Sequence, residues 1–143
     1  MSMRTTIVAM SVTAAGLIAP VLADDLTGKQ QFLCSALQVT GCVMDGECVI
    51  SSASDWNIPQ FIEIDLAGKT MSTTRASGEN RSTPVQHLDR GNGLIVLQGH
   101  EAGRAFSFVI TEATGSASVA VARDGVTVSV FAACTPVPNT GGH

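Results

Sequence analysis

The chain lacks most of what marks an enzyme. It has only three histidines, and its 143 residues contain neither a Gly-x-Ser-x-Gly nor a His-Glu-x-x-His stretch. The nucleophile elbow of the common hydrolases and the helical zinc site of the zincins are therefore missing. No Cys-x-x-Cys pair is present, which argues against a zinc or redox centre. There is no Asp-x-Asp-x-Asp-Gly loop to ligate calcium. Lys and Arg total 8 against 12 Asp and Glu, giving a scattered net charge of −4; nucleic-acid binding wants a basic face instead. After residue 23 no apolar run is long enough to span a bilayer. We expect no cofactor, no metal and no nucleic-acid partner, and an enzyme is disfavoured.

What is present is alternation. Between Gly93 and Cys134 the chain reads as four short strands. In Arg104 to Thr111, Phe106, Phe108 and Ile110 share one face; in Ser116 to Arg123, Ala117, Val119 and Val121 do; in Val126 to Cys134, Val126, Val128, Val130, Ala132 and Cys134 do. Period-two alternation of this kind predicts half-buried strands and excludes the 3.6-residue helical period. Asp124-Gly125 and Ala113-Thr114-Gly115 suit tight hairpin turns. Connections this short can join only antiparallel neighbours, because a parallel crossover needs a dozen or more residues.

The N-terminus begins with Arg4, continues in an apolar run from Ile7 to Leu22, and ends in Val21-Leu22-Ala23. That pattern predicts a secretory signal peptide over residues 1–23. A membrane anchor is the alternative, disfavoured by the shortness of the run and the acidic pair that follows. A single domain is expected over 24–134, with a disordered tail over 135–143, in a periplasmic or secreted protein.

Four cysteines remain, and an even count in an exported chain reads first as disulfides. Three pairings are open. The favoured one joins Cys42 to Cys48 over a small loop and Cys34 to Cys134 across almost the whole domain. The long bridge would add about 4–5 kcal/mol by loop-closure entropy. Gln30 to Val43 fits a strand or a short helix, and Asp45 to Ile58 is irregular, with Ser54 or Asp55 able to cap one helical turn. Gln60 to Leu66 is a clean strand with Ile62, Ile64 and Leu66 inward; Lys69 to Arg75 is a polar one, and Thr83 to Asp89 another. Together these predict an all-β, disulfide-stapled domain of seven or eight antiparallel strands, an up-and-down barrel or a sandwich. The barrel is preferred, because a Cys34–Cys134 link would join the two strands that meet on closure.

Gly103-Arg-Ala-Phe-Ser-Phe108, Glu112-Ala-Thr-Gly115, Phe131-Ala-Ala-Cys134 and Ile58-Pro-Gln-Phe-Ile62 with Asp65 resemble small exported β-proteins of proteobacteria that carry no assigned activity. The architecture is also similar to calycin-like barrels, lipocalins and avidin-like proteins, and to small periplasmic protease inhibitors built on such barrels. The resemblance implies a barrel-like fold and an exported location, and brings no catalytic residues. The lipocalin Gly-x-Trp signature is absent; the single tryptophan, Trp56, lies in the irregular segment.

Trp56, Phe106 and Phe108 are the candidate contacts for a ligand or partner, Trp56 otherwise plugging an open end of the sheet. His87 with Asp89, and His100 with Glu101, are the only conceivable acid–base pairs. Glu63 and Asp65 share an outward face, and Asn80-Arg81-Ser82 matches a glycosylation acceptor. Small residues such as Ala117, Ala120, Ala132, Ala133 and Gly99 could leave a cavity or permit tight packing. Three functions are carried forward. The first is a binding module for a small apolar ligand or peptide. The second is an inhibitor or accessory subunit acting through a protruding segment, Asp24 to Lys29 or Asp45 to Ile58. The third is an enzyme using His87 or His100.

Overall fold

The structure is a computed structural model, and it describes residues 24–74, 77 and 80–138. The expected signal peptide, residues 1–23, and residues 139–143 of the expected tail lie outside the described residues. Among the described residues ten strands carry the fold: β1 (Gln31–Val43), β2 (Cys48–Ser51), β3 (Phe61–Asp65), β4 (Thr70–Thr73), β5 (Ser82–Pro84), β6 (His87–Gly91), β7 (Leu94–Glu101), β8 (Arg104–Thr111), β9 (Ser116–Arg123) and β10 (Val126–Pro136). One 3-10 turn, Ala53–Trp56, follows β2.

All pairs are antiparallel and belong to one sheet, so the sandwich alternative falls. The hydrogen-bonded order is β5-β4-β3-β1-β10-β9-β8-β7-β6, with β2 added to β1 off this path. The sheet curls into an open half-barrel whose edges are β5 and β6. These edges are consecutive in the chain, separated by Val85 and Gln86. There the backbone changes partner: the Val85 N–H donates to Lys69 O beside β4, and the Gln86 N–H donates to Gln98 O on β7.

β1 is the spine. Its whole length pairs with β10, while its first part pairs with β3 and its last part with β2. A bulge between Ala36 and Gln38 pushes Leu37 out to solvent, the usual effect of one unmatched residue in a ladder. The strand alternative for 30–43 therefore holds, and the helix does not.

The count of ten corrects the expected seven or eight for two reasons. β2 emerges from the segment read as irregular, where Cys48 sits directly opposite Cys42 in the register. The single strand expected over 83–89 is divided by the change of partner at Val85 and Gln86. The tail boundary also moves. Thr135 and Pro136 pair with Leu33 and Phe32, and the Val137 N–H donates to Gln31 O. The ordered chain therefore runs past Cys134.

Both disulfides are present, Cys34–Cys134 and Cys42–Cys48. Each joins residues that face each other directly across a strand pair. The first lies in the interior, where both sulfurs are buried with the core. The core is the inward face of the curled sheet: Phe32, Ile64, Ile95, Leu97 and Ile110 are fully buried, joined by Leu26 from the N-terminal segment. Each such side chain contributes about 1.5–3 kcal/mol by leaving water.

Candidate functional site

The inward faces are filled differently at the two ends of the curl. One end holds the starts of β1, β7 and β9 and the ends of β3, β8 and β10. There Leu26 seals the core with 0% exposure. Its N–H donates to Glu112 O at 2.7 Å. Arg90 then reaches over it. Nη2 donates to Leu26 O and Nη1 to Lys29 O, while Nε pairs with the Glu112 carboxylate. Residues 24–29, considered above as a protruding segment, instead form a plug. The buried Leu26 side chain, its backbone bond to Glu112 and the Arg90 fork hold them there.

The other end is hollow. A cavity of about 110 Å³ opens there, lined by β1, β3, β4, β5 and β7 through β10. Its inner wall is apolar: Cys34, Met71, Phe108, Val119, Val130 and Ala132. The space has an identifiable source. Ala36 and Ala132 sit directly opposite each other on β1 and β10, both inward, where larger side chains would meet. Phe106 and Phe108 both line the cavity, in an edge-to-face pair with centroids 6.0 Å apart. Phe106 opposes Gly99, and a Cβ at Gly99 would stand 2.5 Å from the ring and 2.0 Å from Gln86 Oε1. A side chain at residue 99 would displace the Gln86 amide or the Phe106 ring from these positions.

That same glycine admits a side-chain clasp across the sheet's open seam. Gln86 Nε2 donates to His100 O, and the His100 N–H donates to Gln86 Oε1. One amide side chain thereby imitates a rung of backbone ladder. Beside it the Thr83 hydroxyl on β5 donates to the Glu101 carboxylate on β7.

The rim is polar. Gln60, Arg81, Thr83, Glu101 and Arg104 ring the mouth. Gln60 is anchored by its Nε2 donating to Ala36 O at 2.6 Å. Arg104 is half-buried; its Nη1 donates to Asn57 O at 3.2 Å, and it forms no ion pair with a described residue. Sequence reasoning passed over Gln60, Thr83 and Arg104, and took Glu101 only as a partner of His100 and Arg81 only as part of a glycosylation acceptor, although a signal existed. Arg104 has the inward parity of Phe106, Phe108 and Ile110, and Glu101 has that of Ile95 and Leu97. A charged residue on the inward parity at a strand's end is placed at the mouth of the curl, where its head can still reach water.

The remaining candidates separate from the cavity. Trp56 lies over Gly41, where any Cβ would come within 1.9 Å of the indole, and its Nε1 donates to Ser51 Oγ at 2.8 Å. It covers the β1–β2 corner and does not line the cavity. His87 and His100 are exposed, and neither imidazole makes a hydrogen bond or ion pair with another described residue. The acid–base reading loses its geometry: Asp89 is exposed and Glu101 is turned to Thr83. Asp65 accepts from the Gly68 N–H at 3.0 Å, which closes a turn, and Glu63 faces solvent. Among the described residues no three His, Cys, Asp or Glu side chains are gathered closely enough to hold a metal. No described helix is long and apolar enough to cross a membrane.

The chain matches no family model, and no curated protein matches it in sequence. The curled sheet is barrel-like, as the resemblance to exported β-proteins implies.

Proposed function

We propose that the protein is an exported, non-enzymatic binding module that takes a small apolar ligand into the cavity at the open end. The cavity itself carries the reading. Protein interiors rarely leave voids larger than a water molecule, yet this one keeps about 110 Å³ behind a polar rim while its opposite end is plugged. Apolar walls favour a dry occupant, and a few polar groups at the mouth are the usual pattern of a small-molecule site. Two disulfides suit an oxidising compartment, which supports a periplasmic or secreted location.

Native mass spectrometry of the oxidised protein tests this reading. Extra mass that leaves on denaturation, and that is lost in Ala132→Phe, is the expected result. A bare protein that also fails to bind any added small apolar compound would overturn it.

One observation favours the second reading, an inhibitor or accessory subunit. The β1–β2 hairpin is braced by Cys42–Cys48 and exposes Met44 and Ile50 at 68% and 69%. A partner gripping that hairpin would shield the Met44 thioether from peroxide oxidation, a reaction readable by peptide mass.

A further inference from the structure

Building on the cavity reading, we infer that the ligand is a small carboxylic acid, with its apolar chain in the cavity and its carboxylate on Arg104. Two features define this class: the size of the hollow and the charge at its mouth.

The size limits the chain. An apolar cavity of about 150 Å³ holds benzene, so one of 110 Å³ takes about four or five carbons. The occupant is a short chain, and anything longer projects past the rim into water.

The charge selects the head. Arg104 begins β8 on the inward parity, so the strand that lines the cavity with Phe106 and Phe108 also delivers a guanidinium to its mouth. Arg104 is half-buried as a residue, and the contact its head makes is exposed. Among the described residues its one bond is from Nη1 to a backbone carbonyl, that of Asn57. Arginine has five donors in a fixed fork, and the fork matches a carboxylate with two parallel bonds. Glu101, directly opposite in register, accepts from the Thr83 hydroxyl across the seam and forms no ion pair with Arg104, whose remaining donors have no partner among the described residues. Arg104 therefore remains available to an anion entering with the ligand. In contrast, Arg90 at the plugged end has its fork filled by Leu26 O, Lys29 O and Glu112.

The test compares straight-chain alkanoates with alkanols of the same length, by calorimetric titration of the oxidised protein at neutral pH. Both series should tighten by about three- to fourfold per methylene and level off near six carbons, where the cavity is full. Pentanoate should bind about tenfold more tightly than pentanol, the size of effect expected of one charge-assisted contact. The readout is the acid-to-alcohol ratio, so it is independent of how well either variant binds in absolute terms. Arg104→Gln should bring that ratio to near one, and Arg104→Lys should restore part of it. Equal binding of acid and alcohol by the native protein would overturn the carboxylate while leaving the cavity reading in place. So would a ratio unchanged in Arg104→Gln. If neither series binds, the cavity reading fails and the carboxylate with it.

Discussion

The two ends of the curled sheet are made from the same strands and behave as opposites. At one end the inward positions carry Phe32, Ile95 and Ile110, and the N-terminal segment adds Leu26 as a stopper. At the other end the same strands, a few residues further along, carry Ala36, Ala132 and the half-buried Phe106 around a hollow. Their arginines differ in the same sense. Arg90 is used up in holding the plug, whereas Arg104 stands at a mouth with most of its fork unspent. Alternation makes an inside, but the size of the inward residues and the route of the flanking chain decide whether that inside is filled.

The largest expected effect comes from removing the buried bridge between β1 and β10. Replacing Cys34 and Cys134 together by Ala opens a disulfide 100 residues apart in sequence and should cost about 4–5 kcal/mol by the chain-entropy estimate. Replacing Cys42 and Cys48, only 6 apart, should cost about 2 kcal/mol on the same estimate. Denaturant titration of the two double variants reads the difference. Equal losses would show that the buried bridge contributes less than its long loop implies.

Next comes the plug. Leu26→Ala removes a fully buried side chain and should cost about 2–5 kcal/mol. Hydrogen exchange should quicken first at the Leu26 and Glu112 amides, with the mouth little changed. Exchange that quickens equally at both ends would mean the ends are not separable in stability.

A matched pair of small-to-large changes sharpens the comparison. Ala117 and Ala132 face each other across β9 and β10, both buried, but only Ala132 borders the cavity. Ala117→Phe should overpack a filled region and cost about 1–3 kcal/mol. Ala132→Phe should enter the hollow at less than about 1 kcal/mol, since the space already exists, while abolishing ligand uptake. Thermal melts of the two variants decide it. An Ala132→Phe loss as large as that of Ala117→Phe would mean the cavity wall does not accept the ring.

The smallest effect is acidic. The Asp25 carboxyl is held below its ordinary pKa by the Thr27 hydroxyl and N–H, beside the plug. Asp55, in the turn under Trp56, is lowered by hydrogen bonding to the Ser52 side chain and N–H. A lowered folded pKa means the unfolded chain binds more protons as pH falls. The contribution is therefore complete above the ordinary carboxylate pKa and is lost as pH drops through the lowered folded values. Both groups are fully exposed, so the effect on melting is slight. Melts recorded into the acid range should show a shallower decline for Asp25→Asn and for Asp55→Asn than for the native chain. A decline as steep as the native one in both variants would place the acid sensitivity elsewhere.

Much of this was legible in the residues. Phe106, Phe108 and Ile110 on one parity foretold the inward face of β8. The four cysteines, paired as first with last and near with near, foretold both bridges. Other features were not legible, and for a common reason. β2 is a strand only because β1 continues past β3 and offers an edge to Cys48 through Ser51. The break between β5 and β6 exists because the backbone at Val85 and Gln86 turns from Lys69 to Gln98. The plug depends on Arg90 meeting the carbonyls of Leu26 and Lys29, more than sixty residues earlier.

By itself, then, the sequence determined an antiparallel β domain with a buried face, because strand periodicity and tight turns act between near neighbours and need no tertiary context. It also determined which cysteines could serve as staples. Only the tertiary structure decided that one end of the sheet is sealed and the other hollow. That outcome depends on summed side-chain volumes from strands distant in sequence, and on which backbone groups a flanking segment can reach once the sheet has curled.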